Sequence, residues 1–120
     1  GLRTKNNVLF DLPEYVALFD IFPQAGALLD TGHAHVNGWD IPAVVKALGE
    51  RLAACHVHDN DGSGDAHLPV GQGDIDWKAY FGAVKKYAPQ ATQVFEYCCG
   101  FNNTKDLEAH IAELKANYKL

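Results

Sequence analysis

Methionine is absent from the 120 residues and cysteine is scarce. Cys55, Cys98 and Cys99 are an odd set with no Cys-x-x-Cys spacing. Adjacent cysteines are poorly placed for an intrachain disulfide framework, so reduced thiols in a cytoplasmic setting are expected. No apolar run approaches the roughly 20 residues of a membrane span. The opening Gly1-Leu2-Arg3-Thr4-Lys5-Asn6-Asn7 has no apolar signal core, so neither membrane insertion nor export is expected. Basic clusters are also missing. The longest is Lys85-Lys86, and Lys+Arg of 10 against Asp+Glu of 15 leave a formal charge of -5. Capture of nucleic acid depends on neutralising several phosphates, so it is not expected here.

What remains is an ordinary globular composition, 48% hydrophobic and 21% charged, in a length that suits one domain over residues 1–120. Asp11 with Pro13 opens a helix placing Leu12, Tyr15, Val16 and Phe19 on one side, and Ala25 to Leu29 is a short apolar strand ending at Asp30. Asp40 with Pro42 opens a second helix through Leu48, and Arg51 to His58 is a second strand. The stretch from Asp59 to Asp76 is rich in Gly, Asp and Asn and has no period, as expected of a long functional loop. Asp76 caps a helix from Trp77 to Tyr87, Thr92 to Cys98 is a third strand, and Asn103 or Thr104 begins a last helix. Strict alternation of helix and strand predicts parallel strands joined by right-handed crossovers. Periodicity alone fits either a small doubly wound sheet or an arc of a barrel.

In parallel α/β architectures, functional groups gather at the carboxyl ends of the strands. Each strand delivers a donor there: Asp30, then His56 or His58, then Glu96. Carboxylates with imidazole and no thiolate suit Mn, Co, Zn or Mg. A single Asp after a strand is more often a cap or turn former than a ligand. Glu96, however, lies in an otherwise apolar strand, where an unpaired carboxylate is costly to bury and a cation is expected close by. Residues i and i+2 of a strand share a face, so His56 and His58 point together, inward if Cys55 and Val57 face the helices. His33 and His35 follow Asp30 in a glycine-containing turn, and Asp65-Ala66-His67 is a further Asp-x-His pair. Gly71-Gln72-Gly73 lacks the third glycine of a dinucleotide fingerprint.

The ordered motifs Leu28-Leu29-Asp30-Thr31-Gly32-His33-Ala34, Cys55-His56-Val57-His58-Asp59-Asn60-Asp61-Gly62, Asp65-Ala66-His67-Leu68-Pro69-Val70-Gly71-Gln72-Gly73-Asp74-Ile75-Asp76-Trp77 and Phe95-Glu96-Tyr97 together resemble the xylose-isomerase-like TIM barrel superfamily. That group includes sugar isomerases and epimerases and the endonuclease IV type of AP endonuclease. The resemblance spans almost the whole chain and implies a partial (β/α)8 barrel, about strands six to eight.

It implies a divalent ion held by Asp30, His56 and Glu96, with Glu96 also the general acid/base. His33 corresponds to a histidine that contacts substrate hydroxyls in the epimerases. In the endonuclease branch, positions like His33, Asp65 and His67 hold further zinc ions. So His33, His58, Asp65 and His67 are assigned to substrate binding or a second metal. The family's fifth-strand Glu would lie shortly before the segment that Gly1-Leu2 resembles. A complete barrel takes eight strands and roughly 250 residues, so the missing amino-terminal half, or self-association that covers open sheet edges, is expected; the absence of Met agrees. The implied activity is metal-dependent proton transfer next to the carbonyl of a sugar or sugar phosphate. Two alternatives are phosphodiester hydrolysis at abasic DNA and a non-catalytic metal-binding fragment.

Overall fold

A computed structural model describes residues 11–120; the expectation attached to Gly1-Leu2 lies outside them. Helix α1 (Leu12–Ile21) starts where the Asp11 carboxylate accepts from the Glu14 N–H and the Glu14 carboxylate accepts from the Asp11 N–H. This reciprocal pair satisfies two donors that the first turn leaves free. Strand β1 (Ala27–Asp30) runs directly into a short helix α2 (Thr31–Val36). Helix α3 (Ile41–Leu48) is capped by Asp40, and a 3-10 turn leads to β2 (Leu52–Val57). After the long loop, Asp76 caps α4 (Trp77–Tyr87), followed by β3 (Thr92–Phe95) and α5 (Thr104–Tyr118), which Asn103 caps.

The three strands lie in the order β1-β2-β3, both pairings parallel. Leu29, Cys55 and Val57 turn to the helices and are buried with Val44, Val45 and Leu48 of α3 and Tyr80, Phe81 and Val84 of α4. The alternate residues form the other face. One row across the sheet is Leu28, Ala54 and Thr92, and the next is Asp30, His56 and Val94. This second face is open: Leu28 is 44% and Val94 42% exposed. A sheet packed on one side and open on the other is an arc of a barrel seen from its interior.

Several boundaries differ from those expected: β1 begins at Ala27 rather than Ala25 and β2 at Leu52 rather than Arg51. The segment after Asp30 is a helix rather than a turn, because the Asp30 carboxylate accepts from the His33 N–H and Thr31, Gly32 and Ala34 are buried. Strand β2 ends at Val57 and β3 at Phe95, so His58 and Glu96 lie one residue beyond their strands. Among the described residues, no helix is long and apolar enough to cross a membrane.

Candidate functional site

The carboxyl ends of β1, β2 and β3 converge on one cluster of carboxylates and imidazoles. Its hub is Asp30. One oxygen, Oδ1, accepts from the His33 N–H at 2.8 Å and lies 3.0 Å from His58 Nε2. The other, Oδ2, lies 3.2 Å from His33 Nδ1 and 3.7 Å from His56 Nδ1. Burial alone would raise the Asp30 pKa, but the hydrogen bonds from His58 and the His33 N–H, with the charge of both histidines, hold it below the ordinary carboxylate range. Asp30 therefore stays ionised.

His56 stands between the strands, its Nδ1 3.2 Å from Glu96 Oε2 as well as 3.7 Å from Asp30. Its side chain and that of Glu96 are partly exposed on the open face. His58 is fully buried behind them. The Thr31 hydroxyl donates to its carbonyl at 2.9 Å, and the His58 N–H returns to the Thr31 oxygen at 3.1 Å. The His58 ring stacks on that of His67, centroids 3.8 Å apart and planes within 4°.

Asp65 joins the remaining histidines. Its Oδ2 lies 3.0 Å from His33 Nε2 and 3.2 Å from His67 Nε2. His67 adopts φ of +48°, a left-handed conformation rare outside glycine. Its Nδ1–H donates to the Glu96 carbonyl at 3.0 Å. Burial disfavours the imidazolium of His67, but the Glu96 carbonyl and the Asp65 charge outweigh it, so its pKa is raised. His35 takes another partner, Asp74, at 2.6 Å.

Among the described residues, two buried side-chain atoms lack a hydrogen-bond partner: His58 Nδ1 and Asp65 Oδ1. They lie 3.7 Å apart. Buried polar atoms left without a partner are costly, and a cation beside the Asp65 oxygen would satisfy it. Two sets of donor atoms lie within 4.8 Å of one another, Asp30 with His58 and Glu96, and His58 with Asp65 and His67; the imidazole grouped with Asp30 and Glu96 is thus that of His58 rather than the His56 expected from the sequence. The donor chemistry thus fits a divalent ion.

The family profile of the xylose isomerase-like TIM barrel matches residues 2–117. The chain belongs to this family. Over 72 residues the TIM barrel chain is 35% identical to an uncharacterized protein, y4fM, of Sinorhizobium fredii, covering 58% of this chain and 23% of that one. Over 58 residues it is 36% identical to the uncharacterized protein MJ1614 of Methanocaldococcus jannaschii, covering 48% and 22%. A crystal structure of a D-tagatose 3-epimerase-like protein superposes with a TM-score of 0.71 at 24% identity, over 98% of this chain and 44% of that one. It supports the partial-barrel fold. The matches thus span about a quarter of the two curated relatives and less than half of the solved barrel.

The structure brings together all seven residues singled out from the sequence: Asp30, His33, His56, His58, Asp65, His67 and Glu96. Three supporting residues carried no assigned role. Thr31, Asp59 and Asn60 are fully buried polar residues. Asn60 donates to the Gly32 carbonyl at 3.0 Å and accepts from the Gly62 N–H at 2.9 Å. The Asp59 carboxylate accepts from the N–H groups of Asn60, Gly71 and Ile75 and from the Trp77 indole. The signal for Asp59 was Trp77 itself, since an indole N–H in a core needs an acceptor.

Proposed function

We propose that the chain supplies the metal-binding carboxyl-terminal part of a sugar or sugar-phosphate isomerase or epimerase. The observation that carries this reading is the position of His56 Nδ1 between the carboxylates of Asp30 and Glu96, at the ends of three adjacent parallel strands. In this reading Asp30, His56 and Glu96 hold a divalent ion such as Mn, Mg, Co or Zn from the open face. The buried His58 fixes Asp30 from behind, as an outer partner that orients a ligand. When bound, such an ion polarises a carbonyl and its neighbouring hydroxyl, which lowers the cost of removing a proton from the adjoining carbon.

The chain's own groups then divide the remaining work. Glu96 is the general acid/base, its partly exposed carboxylate lying 3.2 Å from His56 Nδ1 at the rim of the inner face. His33, Asp65 and His67 line one side of that space and offer both donors and acceptors to sugar hydroxyls. In the active enzyme, further βα units cover the apolar inner face at Leu28 and Val94, because an open arc of parallel strands exposes its rims.

A second reading, phosphodiester hydrolysis with several ions, draws on the second donor set, His58, Asp65 and His67. The formal charge of -5 argues against a DNA-facing surface. Titrating the purified chain with Mn separates the readings. One ion per chain, lost in both Asp30→Ala and His56→Ala, supports the isomerase reading; two or more favours hydrolysis, and no binding refutes both. Proton exchange at the carbon next to a ketose carbonyl, followed by NMR in deuterated water with the rest of the barrel supplied, tests the chemistry. Glu96→Gln is expected to abolish it while leaving the fold intact.

A further inference from the structure

Thr31 is the fully buried residue at which β1 gives way to α2. Strand β1 pairs with β2 as far as Asp30 opposite His56, and from there its backbone is committed to the helix. The chain that begins as β2 nevertheless runs on through Val57 to His58. On its other side the ladder continues, the Glu96 N–H donating to the Val57 carbonyl at 3.1 Å. Buried peptide groups need partners, and on the β1 side one side chain supplies them. The Thr31 hydroxyl lies 2.9 Å from the His58 carbonyl and 3.2 Å from that of His56, and its oxygen accepts from the His58 N–H at 3.1 Å.

We propose that Thr31 is a positioning residue for the metal site: its hydroxyl stands in for the interrupted ladder and sets the His56–His58 backbone against Asp30. Thr31 is joined to Asp30 by one peptide bond, so any slip of residues 56–58 past the hydroxyl is also a slip past the carboxylate. Both imidazoles depend on that register, His58 Nε2 at 3.0 Å and His56 Nδ1 at 3.7 Å from the Asp30 oxygens.

The His58 ring has little room to compensate. One side meets Gly32, where even a Cβ would collide with it, and the other stacks on His67 at 3.8 Å. A displaced backbone therefore carries the ring with it. Asn60 adds a second tie between the same two segments, donating to the Gly32 carbonyl at 3.0 Å. The branched Cβ of threonine restricts χ1 and so holds the hydroxyl in place.

Two substitutions separate this role from plain packing. Thr31→Val keeps the volume and removes the hydroxyl; Thr31→Ser keeps the hydroxyl and removes the methyl. In the metal-free chain, amide hydrogen exchange at His58 is expected to rise about tenfold in Thr31→Val as that local opening becomes easier, and to stay near wild type in Thr31→Ser. The NOE between the His58 and His67 rings should weaken in Thr31→Val alone. Unchanged exchange in Thr31→Val, or a larger effect in Thr31→Ser, overturns the proposal. Should Thr31→Val fail to fold, Thr31→Ser decides: wild-type exchange at His58 upholds the hydroxyl's role, and faster exchange refutes it.

The consequence for the ion rests on the isomerase reading. Mn affinity is expected to fall about 10–100-fold in Thr31→Val, the usual range for losing an outer partner of a metal ligand, and to hold in Thr31→Ser. A wild-type chain that takes up no Mn defeats that reading, while the metal-free exchange and ring contacts still decide what Thr31 does.

Discussion

The indole N–H of Trp77 donates to the Asp59 carboxylate across 2.7 Å, closing the long loop at the first residue of α4. The same carboxylate accepts from Gly71 at 2.9 Å, Asn60 at 3.0 Å and Ile75 at 3.3 Å. Four N–H dipoles thus stabilise one fully buried charge, and the loop holding Asp65 and His67 is pinned at its start, middle and end.

Replacing Asp59 by Asn leaves the volume unchanged but turns an amide N–H₂ toward groups that are themselves donors. The expected loss is about 2–4 kcal/mol, the range for breaking a buried charged network. Urea unfolding followed by Trp77 fluorescence measures it. A loss within experimental error would show that the loop does not depend on this carboxylate.

Gly32 faces the site from α2, and a Cβ there would collide with Cε1 and Nδ1 of His58. Gly32→Ala is expected to push the His58 ring off Asp30 and His67, at about 1–3 kcal/mol for the overpacking. Histidine ring resonances should report the movement, with the His58 and His67 signals changing most.

The fit of the donor set to a divalent ion predicts stabilisation by mass action. Mn at a hundred times its dissociation constant should raise the unfolding free energy by about 2.7 kcal/mol. A chelator should reverse the gain, and Asp30→Ala should abolish it. An equal thermal midpoint with and without Mn is the contrary outcome.

Tyr97 contributes a dependence at high pH. Burial pushes its phenol up to about 12, and it lies 3.3 Å from His110 Nε2. A group whose pKa is raised on folding stabilises fully below its unfolded value, near 10, and that stability is lost as the pH rises through the folded value. Between pH 10 and about 12 the wild type should therefore lose stability more steeply than Tyr97→Phe, measured as urea midpoints. Parallel curves for the two proteins would argue against it.

Elements whose signals are local were legible in the sequence. The carboxylate caps Asp11, Asp40 and Asp76 marked three helices, and the apolar runs marked three strands in the right order. Helix α2 was not legible, because Thr31, Gly32 and His33 are poor helix formers and only burial against the end of β2, with the Asp30 cap, holds them helical. The choice between a doubly wound sheet and a barrel arc was hidden as well, since it turns on which strand face stays open. At the site, the residue types and their convergence could be anticipated from strand ends. That His58 would be buried and His56 open could not, because the two are i and i+2 in sequence and only the packing of His67 and Thr31 on His58, just past the end of β2, separates them.

Asp30 does two jobs with the same pair of oxygens: it caps α2 and it faces the histidines of the site. Asparagine keeps the capping oxygen but not the charge. An Asn at this position would keep the start of α2 and the sheet edge while removing the negative charge that three histidines face, so the scaffold and the electrostatics of the cluster can be changed separately at one residue.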